Sequence, residues 1–393
     1  MFPRFSDMLN YLFGTHWNLP VQTYGFFLAL AFLVGATVLY YELKRKEKEG
    51  LLLPKQRKVL KSKPPSTSEI LLGAIITFLL AWKVGGIVTD YPVFAANPQR
   101  YLTSASGNLL LGILAAAVII VYEIIRQKKM KKTPAEYIDE IIHPADYTWN
   151  ILIIAVVAAL IGSKLFDIFD NFGDFLRNPV GSLLSFSGLT FYGGLIVTVI
   201  TLLWYLKKIH LDWHYVIDAA APAIMIGYAV GRLGCQFSGD GCWGIVNTMA
   251  KPGWLTWLPD WLWSFNYPHN VLNEGIPIAD CGGRNCRVLA EPVFPTPLYE
   301  SLVSFIWFGV LWLCRKKIKA PVVLFGIYMV LNGIERFFIE KIRVNNRFDF
   351  LGMNVTQAEI ISFCLFVGGI FIIWRFSRKY RQNATGENQK TIV

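Results

Sequence analysis

Nine runs of mostly apolar residues recur along the chain, near 22–42, 68–88, 107–125, 148–168, 190–206, 215–236, 297–314, 321–340 and 357–375. Each approaches the roughly 20 residues that a helix needs to cross the hydrocarbon core of a bilayer. A helix also satisfies its own backbone polar groups there, which an open strand does not. The pattern predicts an all-α polytopic membrane protein of about nine transmembrane helices. Most connections between the runs are short. The exception is 241–296, where Trp254, Trp257, Trp261 and Trp263 are interleaved with Pro and Leu, a composition suited to a segment at headgroup level.

Basic residues then distinguish two faces. The stretches 43–66, 126–147, 207–214, 315–319 and the tail from Arg375 hold 25 of the 38 Lys and Arg, whereas the alternate connections hold 9. Basic loops stay on the cytoplasmic side, so the N-terminus is expected outside, the C-terminus inside, and 241–296 in the periplasm. The remaining four, Lys83, Lys164, Arg232 and Arg336, fall within or at the edge of helices. Charge inside a membrane is costly enough to mark a functional site, although snorkelling from a helix end accounts equally well for the two lysines.

Composition agrees with this reading. Of 393 residues, 54% are hydrophobic and only 17% charged, with a mean hydropathy of +0.42, below the roughly 25% charge of soluble domains. A secreted enzyme, a nucleic-acid-binding domain and a disordered scaffold are excluded, and the +11 net charge reflects cytoplasmic loops rather than a nucleic-acid partner. The first apolar run begins about twenty residues in and precedes a basic block, which reads as a span rather than a cleavable signal. Six Cys are too few for a disulfide-built fold, and no spacing among them reads as zinc. Cys281 and Cys286, with Gly282-Gly283 between them, suit a local disulfide on the outer side. Nothing in the sequence calls for a cofactor or a metal.

An internal repeat organises the middle of the chain. Shifted by 81 residues, 74–119 aligns with 155–200 without a gap and gives 15 identities in 46 positions, among them Lys83 with Lys164, Asn97-Pro98 with Asn178-Pro179, Ser106-Gly107 with Ser187-Gly188, and Gly112 with Gly193. Each copy reads as one helical hairpin. Leu111 in the first copy stands where Tyr192 stands in the second, so the first copy is expected to be scaffold. The domain plan is one integral membrane domain, 1–393, with a hairpin at 68–125 repeating 148–206.

Four polar clusters collect near the outer half of the membrane: Tyr24-Gly25, Ser187 to Gly194, the glycine-rich Gly231 to Gly244, and Asn332 to Arg343. In the last, Arg336, Glu340 and Arg343 recur at spacings of four and three, on one helical face. An ion-pair ladder holding helices together explains Glu340 with Arg336 or Arg343. It does not explain Arg232, which converges from another helix with Asp240 as the acid beside it. Two guanidiniums on opposed helices suit the phosphate of a lipid headgroup, whose oxygens the planar fork binds bidentately.

These clusters carry a resemblance. Tyr24-Gly25, Phe191 to Leu195, Asp218 to Pro222 leading into Gly231 to Gly234, Pro295 to Glu300, Arg336 to Arg343 and Gly352 to Gln357 occur in the order seen in the bacterial prolipoprotein diacylglyceryl transferases, which the chain resembles over about 20–42 and 148–375. The family core would be seven helices, with 68–125 inserted. Departures fall on proton-handling positions. Tyr192-Gly193-Gly194 stands for His-Gly-Gly, Cys235-Gln236-Phe237-Ser238-Gly239-Asp240 with one extra residue replaces Asn-Phe-x-Asn-x-Glu, and Phe294 stands where a His often opens the Pro-x-x-Leu-Tyr-Glu motif.

The resemblance implies a multi-pass enzyme of the bacterial cytoplasmic membrane that moves the diacylglyceryl group of phosphatidylglycerol to the lipobox cysteine of a prolipoprotein signal peptide. Its expected partners are that lipid, the signal peptide and the surrounding membrane. The catalytic set it points to is Arg232, Arg336, Tyr192, Asp240 and His269. The substrate-binding set is Tyr24, Gly193, Gly194, Ser238, Gly244, Tyr299, Glu300, Glu340 and Arg343. The base is open: His269 lies in the outer loop and titrates near 6.5 when unperturbed, whereas an ordinary tyrosine such as Tyr192 titrates near 10. Two other readings are a transporter or channel, which would need equivalent polar ligands from both hairpins, and a related transferase with another acceptor.

Overall fold

The computed structural model describes residues 1–60, 64–96, 101–102, 104–131, 137–184, 190–345, 347–350 and 353–390. Among these, every predicted apolar run is a helix. A short helix, α1 (Phe5–Phe13), precedes α2 (Thr23–Lys48), α3 (Thr67–Thr89), α4 (Leu109–Lys131), α5 (Thr148–Asp170), α6 (Phe191–Lys208), α7 (Trp213–Ser238), α8 (Thr296–Cys314), α9 (Val323–Glu340) and α10 (Gln357–Lys390). Among the described residues, eight helices are long and apolar enough to cross a membrane. The remaining predicted span, α9, is 18 residues long and carries Glu335, Arg336 and Glu340 in its last two turns. The fold is therefore an all-α polytopic membrane fold, with three two-stranded β-pairs confined to connections.

The chain divides into two compact units, one of residues 1–53, 143–171 and 188–393, the other of 54–142 and 172–187. In the first, α7 is central: 56% of its apolar window is buried, against 33% or less for every other candidate span. It packs along α2 and against α8, while α9 packs on α10 and α5 on α6. Pro222 interrupts α7, and one turn earlier Asp218 points its buried carboxylate at the start of α9. There it accepts the backbone N–H groups of Val322 (2.8 Å) and Phe325 (2.9 Å). Helix α9 has no capping side chain of its own, so Asp218 satisfies donors that would otherwise be orphaned inside the fold. At the basic end, buried Glu42 of α2 joins Arg45 (2.8 Å) to Arg315 (2.7 Å), which lies over the Trp312 ring.

The second unit contains the hairpin of α3 and α4. A capping box starts α3, with Glu69 N–H on Ser66 Oγ (3.2 Å) and Ser66 N–H on the Glu69 carboxylate (2.7 Å). Helices α3 and α4 pack together. Among the described residues, Lys83 has no acidic partner. Its ammonium donates to the carbonyls of Tyr101 (3.0 Å), Ser104 (2.5 Å) and Ser106 (2.9 Å), closing the loop that joins the two helices. Outside the hairpin, β1 (Lys55–Leu60) pairs antiparallel with β2 (Tyr137–Ile142), and the register sets Arg57 opposite Glu140 and Lys58 opposite Asp139.

Helices α3 and α4 pack as one helical hairpin and α5 and α6 as another. The aligned Gly112 and Gly193 do the same work. A Cβ on Gly112 would lie 2.9 Å from Trp82 Cβ, and one on Gly193 only 2.4 Å from Phe166. Lys164 pairs with Asp167 at 2.8 Å. Of the repeat and closing motifs, Asn97-Pro98, Ser187-Gly188 and Gly352 lie outside the described residues.

Candidate functional site

The chemistry collects where the ends of α7, α8 and α9 meet. Glu300, in the second turn of α8, is 1% exposed and forms the hub. One carboxylate oxygen is in ion-pair contact with Arg232 of α7 and accepts the Tyr228 hydroxyl at 3.2 Å. The other accepts Arg343 at 3.3 Å and Arg336 of α9 at 3.5 Å. Arg336 also pairs with buried Glu340 at 3.0 Å, the i,i+4 contact read from the spacing. Tyr228 lies one turn before Arg232, and its ring supports that guanidinium at 5.0 Å. Ser301 ties the same turn of α8 to α7 through its bond to the Ala229 carbonyl, 2.9 Å.

Three arginines thus surround one carboxylate, and each guanidinium carries roughly five N–H donors. Those donors outnumber the carboxylate oxygens they meet. The cluster is also open, with side-chain exposures of 15% for Arg232, 19% for Arg343 and 24% for Arg336. It is built to take a further anion bearing several oxygens.

Gly244 lets the chain after α7 close over this cluster. It bridges Arg343 antiparallel and donates its N–H to the Phe294 carbonyl (2.9 Å), and a Cβ there would fall 2.4 Å from the Ile342 carbonyl oxygen. The acid on Arg232 is Glu300, while Asp240 stands with two sulfurs: its carboxylate and the thiols of Cys235 and Cys242 lie within 4.8 Å of one another. A hydrogen bond from the Cys235 thiol holds Cys242 below the ordinary thiol range, against the opposing effect of burial. Tyr24, at the start of α2, shares the electrostatic neighbourhood of Cys235, Asp240, Cys242 and Arg232.

Comparison with known proteins identifies the family. The family model described as prolipoprotein diacylglyceryl transferase matches residues 106–375. The chain belongs to that family. Curated relatives named phosphatidylglycerol–prolipoprotein diacylglyceryl transferase include one from Leptospira interrogans, 29% identical over 265 residues and covering 60% of this chain and 70% of the relative. Another, from Xylella fastidiosa strain M12, is 25% identical over 245 residues, covering 57% and 76%. A third, from Dehalococcoides mccartyi, is 28% identical over 241 residues, covering 58% and 77%.

Within this diacylglyceryl transferase fold, the residues read from the sequence separate into two groups. Arg232, Arg336, Arg343, Glu300, Glu340 and Gly244 come together, with Tyr24 and Asp240 beside them. The others sit elsewhere in the bonding pattern. Gly193 and Gly194 press α6 onto α5, where added Cβ atoms would meet Phe166 and Ser163 Oγ at 2.4 Å. The Tyr192 ring stands edge-on to Phe191. Ser238 is buried and donates to the Cys235 carbonyl (3.4 Å). Tyr299 donates to the Leu262 carbonyl (2.7 Å), fastening the tryptophan-rich loop. His269 has Nδ1 on the Asn285 carbonyl (2.8 Å), beside the disulfide that joins Cys281 and Cys286. Among the described residues, no bond links Tyr192 or His269 to the arginines.

Several residues of the site escaped the sequence reading. Tyr228 carried a usable signal, four residues before Arg232 on one helix face. Buried Glu335 has a carboxylate oxygen without a hydrogen bond and shares the field of Arg232 and Arg336. Its position next to Arg336 placed it formally on another face.

Proposed function

We propose that the protein transfers the diacylglyceryl group of phosphatidylglycerol to the cysteine thiol of a prolipoprotein signal peptide, forming a thioether and releasing glycerol phosphate. The observation that carries this reading is the set of three partly open guanidiniums, from α7, α9 and the segment after α9, around the single carboxylate of Glu300. In this reading Arg232 and Arg336 hold the lipid phosphate, Glu300 and Glu340 keep them aimed, and Arg343 completes the cradle.

The reaction follows from that placement. The thiolate attacks the glycerol carbon bonded to the bridging phosphate oxygen, a C–S bond forms, and the C–O bond breaks with its electron pair on oxygen. The phosphodiester monoanion becomes a phosphate monoester, whose second pKa is about 6, so the leaving group departs without prior protonation. Negative charge grows on it as the bond breaks. The arginines therefore stabilise the transition state more than the bound lipid. The thiol belongs to the acceptor and has an ordinary pKa of about 8.5, so only a few per cent is thiolate at pH 7.

The reading sets the protein in the bacterial cytoplasmic membrane, arginine cluster toward the outer leaflet and Lys/Arg-rich loops inside. A secreted lipoprotein precursor presents its cysteine on that outer side, just beyond its apolar segment. Trp254 and Trp257, 74% and 77% exposed, then lie at headgroup level. Purified protein in vesicles of phosphatidylglycerol should add one diacylglyceryl group to a synthetic lipobox peptide, read as a mass increase. A peptide with Ser for Cys should gain nothing. An unmodified Cys peptide, with folded protein and lipid in excess, would overturn the proposal.

A further inference from the structure

Among the described residues, no hydrogen bond or ion pair ties Cys235, Asp240 or Cys242 to the arginines, and the chain is shaped to assemble the three. Cys235 lies in the last turn of α7, 6% exposed and three residues after Arg232. Gly239 and Gly241 take φ values of +65° and +87°, conformations that side chains disfavour, and turn the backbone so that Cys242 returns to Cys235. The Cys242 backbone is then fixed on both sides: its N–H is on the Asp240 carboxylate (3.2 Å) and its carbonyl accepts Thr296 Oγ1 (2.8 Å).

Two sulfurs and a carboxylate, their ligand atoms all within 4.8 Å, form a donor set for a borderline-soft dication. Around a tetrahedral zinc, with bonds of about 2.3 Å to sulfur and about 2.1 Å to oxygen, ligand atoms stand roughly 3.5–3.8 Å apart. Small side-chain adjustments reach that spacing. Three protein ligands leave the fourth position open, which separates catalytic from structural zinc sites.

We propose that Cys235, Asp240 and Cys242 bind a thiophilic divalent cation of the zinc type, whose open position takes the sulfur of the acceptor cysteine. This rests on the transferase reading, and it answers the question that reading leaves open, namely what activates the thiol. A thiol bound to such a metal gives up its proton, here to water. The metal-held thiolate then attacks the glycerol carbon, the C–O electron pair leaves with the phosphate held by Arg232 and Arg336, and the neutral thioether dissociates as a weak ligand. With two thiolates and one carboxylate the dication site is net negative by one charge, and it lies beside the arginines rather than opposing them.

The test is metal content and spectrum on the whole protein in detergent, stripped with a chelator and titrated with Zn²⁺ or Co²⁺. The expected result is one equivalent per chain and, with cobalt, tetrahedral d–d absorption plus thiolate charge transfer. Both should disappear in Cys235→Ser and Cys242→Ser, and Asp240→Asn should weaken binding at least tenfold while its unfolding curve stays that of a folded protein. Adding the lipobox peptide should strengthen the charge-transfer band, and its Ser analogue should not. Metal uptake no greater than that of the Cys235→Ser/Cys242→Ser double variant overturns the site, as does a Cys235–Cys242 disulfide found by peptide mapping of unreduced protein. A cobalt spectrum indifferent to the Cys peptide overturns its role. Transfer from phosphatidylglycerol by chelator-treated, metal-free protein at the full rate would sink this inference alone. A peptide-responsive cobalt spectrum with no transfer would sink the transferase reading alone.

Discussion

Replacing Glu300 by Gln keeps the shape of the hub and removes its charge, leaving Arg232, Arg336 and Arg343 facing one another in a site that is 1% exposed at its centre. Each contact between Glu300 and a guanidinium is worth on the order of 4 kcal/mol gross at an effective dielectric near 20 and a charge separation of about 4 Å. Most of that gain offsets desolvation, so the observable is the cost of breaking a buried pair, about 3–5 kcal/mol. Glu340→Gln should cost less, about 1.5–3 kcal/mol, because Arg336 retains Glu300. The sign of the coupling is diagnostic. In the Glu300→Gln background, Arg343→Met removes one unpaired charge and should restore about 1–2 kcal/mol, whereas in wild-type protein the same change should destabilise. Unfolding in mixed detergent micelles, with the four variants and wild type in parallel, measures all of these. A Glu300→Gln protein within about 1 kcal/mol of wild type, or Arg343→Met destabilising both backgrounds equally, would refute the reasoning.

Three further outcomes follow from other parts of the fold. Asp218→Asn weakens the bonds to Val322 and Phe325 N–H and should destabilise by about 1.5–3 kcal/mol, read in the same unfolding assay. Lys83→Met opens the loop of the α3–α4 hairpin and should bring earlier proteolysis between Tyr101 and Asn108, with turnover of phosphatidylglycerol unchanged; a selective loss of turnover would make that hairpin functional. A hydrogen bond from His143 Nδ1 to the Glu47 carboxylate, 2.6 Å, and the charge of that carboxylate raise the His143 titration above the ordinary 6.5. That stabilisation is complete below the unfolded pKa and is lost as pH rises through the folded one, and Glu47→Gln should return the His143 NMR titration to the ordinary value.

The spans were legible because an apolar run of spanning length is a local property: all nine runs appeared as helices where the pattern put them, and among the described residues eight of these are long and apolar enough to cross a membrane. Helix α1 was not, being nine residues long, and neither was the β1–β2 pairing, which joins segments on either side of the hairpin. Arg232, Arg336 and Glu340 were readable as intramembrane charges with helical spacing. The hub role of Glu300 was not, because it depends on α7, α8 and α9 converging from positions far apart in sequence. Asp240 was read as the partner of Arg232 from proximity along the chain, yet Glu300 takes that place. Cys235 and Cys242 are seven residues apart, outside the short spacings of zinc motifs, and only the double left-handed turn at Gly239 and Gly241 brings them together. Gly193 and Gly194 press α6 onto α5, a close approach whose partner helix the sequence did not name.

The central claim is that the arginine cluster binds the lipid phosphate and stabilises its departure. Wild-type protein in phosphatidylglycerol vesicles, given the lipobox peptide, should release glycerol phosphate in equal amount to thioether peptide. Arg232→Ala should lower both rates together on the order of 10²-fold or more, as for loss of one preorganised charge donor. Arg232→Lys should recover part of the loss, because it keeps the charge without the planar fork. Near-normal release of glycerol phosphate by a folded Arg232→Ala protein would contradict the account.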